Sequence, residues 1–217
     1  MQSAPSFSAS REQWNERYRA GEHTSTAPDP LLFQLYDEFI APAFPYGGRG
    51  LDMAGGAGRH AIWMAQQTTG PAQQRIEPAQ QPGWQMTLSD LSDAATALAR
   101  QNAAAVGAAI QIVNEPAIDT LTRAASPGAQ YDLLMVFQFL DRWLFPDLRA
   151  AVKPGGLIIY KAHTLDHLEI GDGKGPKDPA HLLERQELLR EFADFRILFY
   201  HETMVRRGTQ AIVAQMR

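Results

Sequence analysis

One segment limits the choice of folds more than any other: Gly50-Leu51-Asp52-Met53-Ala54-Gly55-Gly56-Ala57-Gly58-Arg59-His60. Its apolar run is too short for a helix, a glycine cluster follows, and Arg59 to Gln67 is helical in character. The segment therefore reads as strand, tight turn and helix. A lone strand cannot be stable, and the rest of the chain supplies others. Trp84 to Asp90 and Ala109 to Val113 read as strands, and the continuous apolar run Tyr131 to Phe137 reads as a strand covered on both faces. Between them lie an Ala-rich helix over Asp93 to Ala105 and a helix over Phe145 to Val152. Lys153-Pro154-Gly155-Gly156 is expected to close that helix before a strand at Leu157 to Tyr160.

Strands that alternate with helices indicate an α/β domain with a mainly parallel sheet. Phe195 to Glu202 and Thr209 to Gln215, joined by a short Gly-containing connection, read as a hairpin that adds an antiparallel strand; a helix is expected before it, over about His181 to Phe192. At the other end, residues 10 to 40 are helical in pattern, with Trp14 and Tyr18 four apart on one face. Gly21 to Ser25 breaks that pattern, and a second amphipathic stretch, Leu31 to Ile40, follows Pro28-Asp29-Pro30. From Gln66 to Gln85 there are seven Gln and three Pro in twenty positions, without apolar periodicity, which predicts a surface insert over 66–83. The 217 residues fit a single domain, 1–217, whose residues 1–45 form a helical lid segment.

Composition removes whole classes of chemistry. With no cysteine there is no disulfide, thiolate zinc site, iron–sulfur cluster or cysteine nucleophile, and no metal site is expected. A net charge of −4 without a Lys/Arg block argues against a nucleic-acid surface. No apolar run reaches the roughly 18 residues of a membrane span, and the first residues lack a signal-peptide pattern, so a cytoplasmic location with no membrane partner is expected. A small-molecule partner fits this surface better than a polyanion.

The glycine turn lets a ligand approach the backbone, and the N–H groups that open the following helix favour an anionic or polar group. Open α/β sheets place nucleotide-like ligands at this point, beyond the first parallel strand. Gly56 to Ala61 even fits G-x-G-x-x-A, which keeps a nicotinamide-dependent oxidoreductase open. Asp52, however, would repel a pyrophosphate and attract an ammonium. Asp90, ending the second strand, can accept two hydrogen bonds from ribose hydroxyls. Asn114 and Glu115, ending the third, are placed to reach an adenine edge. Each is also an ordinary residue for a turn after a strand; their succession along consecutive strands is what points to a ligand.

These segments, with Trp14-Asn15-Glu16-Arg17-Tyr18 ahead of them and Tyr131 to Leu140 and Lys153-Pro154-Gly155-Gly156-Leu157 behind, resemble the class I S-adenosylmethionine-dependent methyltransferases. More narrowly they resemble the tellurite-resistance-type branch of small bacterial enzymes. The resemblance covers roughly residues 12 to 217 and implies a Rossmann-like, doubly wound seven-stranded sheet of order 3-2-1-4-5-7-6. It implies S-adenosyl-L-methionine as cofactor, its amino group at Asp52, its methionyl and ribose portion along Ala54, Gly56 and Gly58, and its ribose hydroxyls on Asp90. Leu91, Asn114 and Glu115 would lie near the adenine, while Phe137 and Gln138 would flank the methyl donor. Ala54 stands where similar sequences often have Gly, a change expected to matter little sterically.

Methyl transfer from a sulfonium needs approach geometry and exclusion of water, and a base only for a neutral acceptor. His163, after the fifth strand, is the candidate base, ahead of His23, His60 and His201. Arg17, Arg59 and Arg142 are candidate holders of an anionic acceptor, and Trp14, Tyr18, Phe139 and Trp143 candidate pocket walls. The acceptor expected is a metalloid oxyanion, a thiol or a small metabolite. A non-catalytic protein that binds S-adenosylmethionine is the remaining alternative.

Overall fold

The structure, a computed structural model, describes residues 7–67, 83–170, 175–205 and 207–217. Its seven strands are β1 (Gly48–Met53), β2 (Trp84–Asp90), β3 (Ile110–Asn114), β4 (Tyr131–Phe137), β5 (Val152–His163), β6 (Arg196–Thr203) and β7 (Thr209–Gln215). They form one sheet in the order β3-β2-β1-β4-β5-β7-β6. β1 pairs with β2, β2 with β3 and β4 with β5 in parallel, and β7 runs antiparallel to both β5 and β6. This is the order that the resemblance implies, and the antiparallel hairpin strand is the one read from the residues. The chain divides into two compact units, Met1–Thr120 and Leu121–Arg217.

In the first unit, α1 (Phe7–Arg19) is followed by α2 (Pro30–Leu35), a π-helical turn at Tyr36–Ile40 and α3 (Ala41–Ala43). Pro30 suits the first position of α2, where its missing N–H has no partner to lose, and Asp29 Oδ1 caps the helix by accepting from Leu31 N at 3.0 Å. Leu32 and Leu35 of α2 and Ile40 of the π-helical turn are fully buried. Next come α4 (Arg59–Ala65) and α5 (Asp93–Ala105), then α6 (Ala117–Ala124), which starts in this unit and ends in the second. α5 presents Ala95, Ala99 and Ala103, all buried and four residues apart, so one small-residue face can lie close to its neighbours. α6 was not anticipated, because Pro116 reads locally as a turn. Of the expected insert over 66–83, residues 68–82 lie outside the described residues.

In the second unit, Leu133 to Val136 of β4 are fully buried, as a continuous apolar run requires of a strand covered on both faces. Two expectations need correction. Lys153 to Gly156 do not close a helix ahead of a separate strand: α7 (Phe145–Ala150) ends earlier, and β5 starts at Val152 and runs through them. Tyr131 pairs with Val152 but Leu133 with Leu157, so Pro154 and the glycines fill a bulge. Hydrogen bonds Gly155 N to Met216 O and Met216 N to Gly156 O, each 2.9 Å, close that bulge against the C-terminal segment.

The helix expected over His181 to Phe192 shrinks to α9 (Glu187–Glu191), after α8 (His167–Ile170) and a 3₁₀ turn at Pro179–His181. Leu183 is instead held extended, donating to His163 O at 2.8 Å and accepting from Leu165 N at 2.9 Å. Both leucines, Leu182 and Leu183, are fully buried there, so tertiary burial outweighs local helix propensity. No helix among the described residues is long and apolar enough to cross a membrane.

Candidate ligand site

The turn after β1 is built from left-handed backbone: Ala54 has φ 52°, Gly56 φ 58° and Gly58 φ 85°. Ala54 therefore holds a conformation that costs an L-residue about 1 kcal/mol, so the absence of glycine there is not neutral. Gly55 is demanded by a different constraint, since a Cβ on it would lie 2.8 Å from Asp52 Oδ2. Two bonds pin the turn to β2: Gly55 N donates to Ser89 O at 3.2 Å and Gly56 N to Asp90 Oδ2 at 2.9 Å.

Asp52 is fully buried. Its Oδ2 accepts from Ala61 N at 3.0 Å, in the first turn of α4, while its Oδ1 has no hydrogen-bond partner among the described residues. Burial raises its pKa to about 7, against the opposing pull of the Ala61 N–H and the Arg59 guanidinium. A buried carboxylate oxygen without a donor is unusual and expensive; an ammonium would satisfy it and return the group to its ionised form. Asp90 also titrates above the usual carboxylate range, chiefly from burial, although Ser92 N and Gly56 N both donate to it. Those two bonds, 2.8 Å to Oδ1 and 2.9 Å to Oδ2, leave about half of the carboxylate's acceptor positions open.

α1 reaches the same turn. Asn15 is buried; its Oδ1 accepts from Ser92 Oγ at 2.8 Å and Ala94 N at 3.1 Å, and its Nδ2 donates to Asp93 Oδ2 at 3.2 Å. This clamp on the start of α5 sets Tyr18 one turn later, where its hydroxyl would collide with any Cβ on Gly56. Burial and then the charge of Asp90 push the Tyr18 phenol well above its ordinary pKa, so it stays a neutral donor. Beside it, Arg17 donates to Glu22 at 2.8 Å, bonds His23 Nε2 at 2.7 Å and lies 4.6 Å over the Trp14 ring.

The residues after β3 are tied into the framework. Asn114 Nδ2 donates to the carbonyls of Asp90 and Leu91, both at 3.1 Å, and Thr120 Oγ1 donates to Glu115 Oε1 at 2.5 Å. Asp52, Ala54, Gly56, Gly58, Asp90, Leu91, Asn114 and Glu115 thus lie on the β1, β2 and β3 ends of one unit.

In the second unit, Phe137 ends β4 buried, and Gln138 follows exposed at φ 60°, its N–H donating to Lys161 O at 2.7 Å. His163 is the last residue of β5; its Nδ1 lies 3.3 Å from Gly208 O, and its ring packs on His167 with centroids 4.3 Å apart. Nδ1 donating to that carbonyl leaves Nε2 with the lone pair. Burial, then the neighbouring His167, lowers the His163 pKa to about 4. Arg142 is committed elsewhere: it grips the buried Glu187 with bonds of 2.7 and 2.8 Å and caps the carbonyls of Ala180 and Leu182. Trp143, a candidate pocket wall, is 89% exposed.

Asn15 is the residue of this site whose part sequence reasoning missed. Asn15 left a usable signal, a polar residue beside Trp14 in an amphipathic helix. The strand order, the antiparallel β7 and the turn between β1 and α4 define a class I methyltransferase-like fold. The chain is similar to TehB from Haemophilus influenzae, with TM-score 0.63 and 15% identity over 94% of this chain and 67% of that one. It is also similar to magnesium protoporphyrin IX methyltransferase from Synechocystis PCC 6803, solved with bound SAH, with TM-score 0.63 and 13% identity over 97% and 99% of the two chains. For a SAM-dependent methyltransferase from Anabaena variabilis the values are 0.67 and 14%, over 99% and 96%. No family model and no curated protein matches the sequence.

Proposed function

We propose that this protein binds S-adenosyl-L-methionine and transfers its methyl group to a small-molecule acceptor, as a methyltransferase of the tellurite-resistance-type branch. The observation that carries the reading is Asp52 Oδ1, a buried carboxylate oxygen without a donor beside the glycine turn. An ammonium suits it and a pyrophosphate does not, which separates this reading from a nicotinamide cofactor. Asp90 would hold the ribose hydroxyls, Gly56 and Gly58 would admit the ligand to the backbone, and Leu91, Asn114 and Glu115 would line the adenine side. Phe137 and Gln138 would flank the methyl donor.

When bound, the cofactor supplies a methyl group on a sulfonium, already activated for in-line displacement. The chain's part is to orient it, exclude water and, for a neutral acceptor, take a proton. His163 is the base we assign, with Nε2 unprotonated at neutral pH. A metalloid oxyanion, a thiol or a small metabolite fits as acceptor, and a cytoplasmic setting fits all three.

Calorimetric titration with S-adenosylmethionine, S-adenosylhomocysteine and NADH tests the cofactor. Micromolar binding of the first two without NADH supports it, and binding of NADH alone overturns it. Release of S-adenosylhomocysteine across an acceptor panel that includes metalloid oxyanions then separates an enzyme from a non-catalytic binder.

A further inference from the structure

His60 is buried, and the first four residues of the chain's α4 include both it and Ala61, whose N–H binds Asp52 Oδ2. His60 Nε2 accepts from the backbone N–H of Asp29 at 3.3 Å. A neutral imidazole has one donor nitrogen and one acceptor, so this bond places the proton on Nδ1. His60 Nδ1 lies 4.0 Å from Asp52 Oδ1, the oxygen that has no hydrogen-bond partner among the described residues. That distance is too long for a hydrogen bond, so the lone pairs of Oδ1 stay available. It is short enough for the N–H dipole to favour negative charge on the oxygen, whereas an unprotonated Nδ1 would oppose it.

We propose that His60 is a positioning residue for the ligand ammonium: its Nδ1–H, fixed by the Asp29 backbone donor, faces Asp52 Oδ1 and holds that oxygen as an anionic acceptor. The inference rests on the ammonium site proposed above and adds a route to it. Asp29 also caps α2, so the docking of the segment ahead of α2 sets the tautomer of His60 and, through it, the readiness of Asp52. The other groups that act on Asp52 are Arg59 of α4, which favours the anion, Asp90 of β2, which opposes it, and the neutral Tyr18 of α1.

Two measurements need no ligand. Imidazole ¹⁵N shifts of the wild-type protein at pH 7.5 are expected to show His60 protonated on Nδ1; protonation on Nε2 overturns the proposal. Carboxyl ¹³C titration of Asp52 is expected to move its midpoint up by about half a unit or more in His60→Leu, and back towards wild type in His60→Asn, whose amide restores a donor. Half a unit corresponds to roughly twofold weaker binding of S-adenosylhomocysteine near pH 7 and about threefold at pH 6, shrinking above pH 8 where the carboxylate is ionised in every variant. An unchanged midpoint in His60→Leu overturns the proposal. Should that variant not fold, an Asn variant whose midpoint moves as far as loss of any donor would require, about half a unit, overturns it equally. Wild-type protein that fails to bind S-adenosylhomocysteine refutes the methyltransferase reading, while the ¹⁵N and ¹³C results still decide the role of His60.

Discussion

If Asp52 receives the ligand's ammonium, binding must release a proton over a defined pH range. The unliganded carboxyl titrates at about 7 because it is buried with Oδ1 unpaired. Pairing with a cation restores the anion, so below pH 7 each binding event must first remove the proton. The ligand's α-amino group titrates near 7.7–8.0, so it remains mostly charged up to pH 7.5. Between pH 7.5 and pH 5 the affinity is then expected to fall by roughly 50-fold, about 2.3 kcal/mol. Net proton release rises from near zero at pH 7.5, where the ligand's amine takes up about as much as Asp52 gives off, to nearly one at pH 5. Calorimetry of S-adenosylhomocysteine binding in two buffers of different ionisation enthalpy measures that stoichiometry directly. Asp52→Asn isolates this contribution from that of Asp90: the variant should bind at least tenfold more weakly at pH 7.5 and lose most of the pH dependence. Constant affinity from pH 5 to 7.5 with no proton release would refute the assignment of the ammonium to Asp52.

The same groups leave a signature in stability. Asp52 titrates higher folded than unfolded, so its contribution is lost as pH rises from about 4 to 7; His163 titrates lower folded, so its contribution is lost as pH falls from about 6.5 to 4. The slopes oppose one another, each worth roughly 3–4 kcal/mol over its full range. Denaturant midpoints of Asp52→Asn should therefore rise with pH in that window and those of His163→Gln should fall; identical slopes in the two variants would contradict both assignments. Asn15→Ala leaves Ser92 Oγ and Ala94 N without their acceptor and should cost about 2–3 kcal/mol. Hydrogen exchange should then show α1 losing protection before the sheet does. Gly56→Ala sets a Cβ against the Tyr18 hydroxyl at a left-handed φ, and should cost at least about 1–2 kcal/mol in urea unfolding. Tyr18→Phe should recover the part due to the collision but not the part due to the backbone.

Local sequence determines much of this molecule, for physical reasons that act over a few residues. A parallel strand covered on both faces must carry a continuous apolar run, which Leu133 to Phe137 supplies and which makes β4 legible, and β2 begins at Trp84 and ends at Asp90 as read. Tight turns need residues that accept positive φ, which exposes the turn after β1 and, with it, Asp52 and Asp90. Long-range terms decided the rest. Leu182 and Leu183 have the propensity of a helix but are extended, because their burial and the bonds of Leu183 to the segment after β5 outweigh that propensity. Pro154 and its glycines look like a helix stop and become a bulge, since Met216 closes hydrogen bonds that no local window contains. Arg142 reads as a free cation until Glu187 grips it. Charge state is the most tertiary property of all. Asp52 carries no mark in the sequence of a pKa near 7 or of an unpaired oxygen, because both follow from burial and from donors brought in by α4.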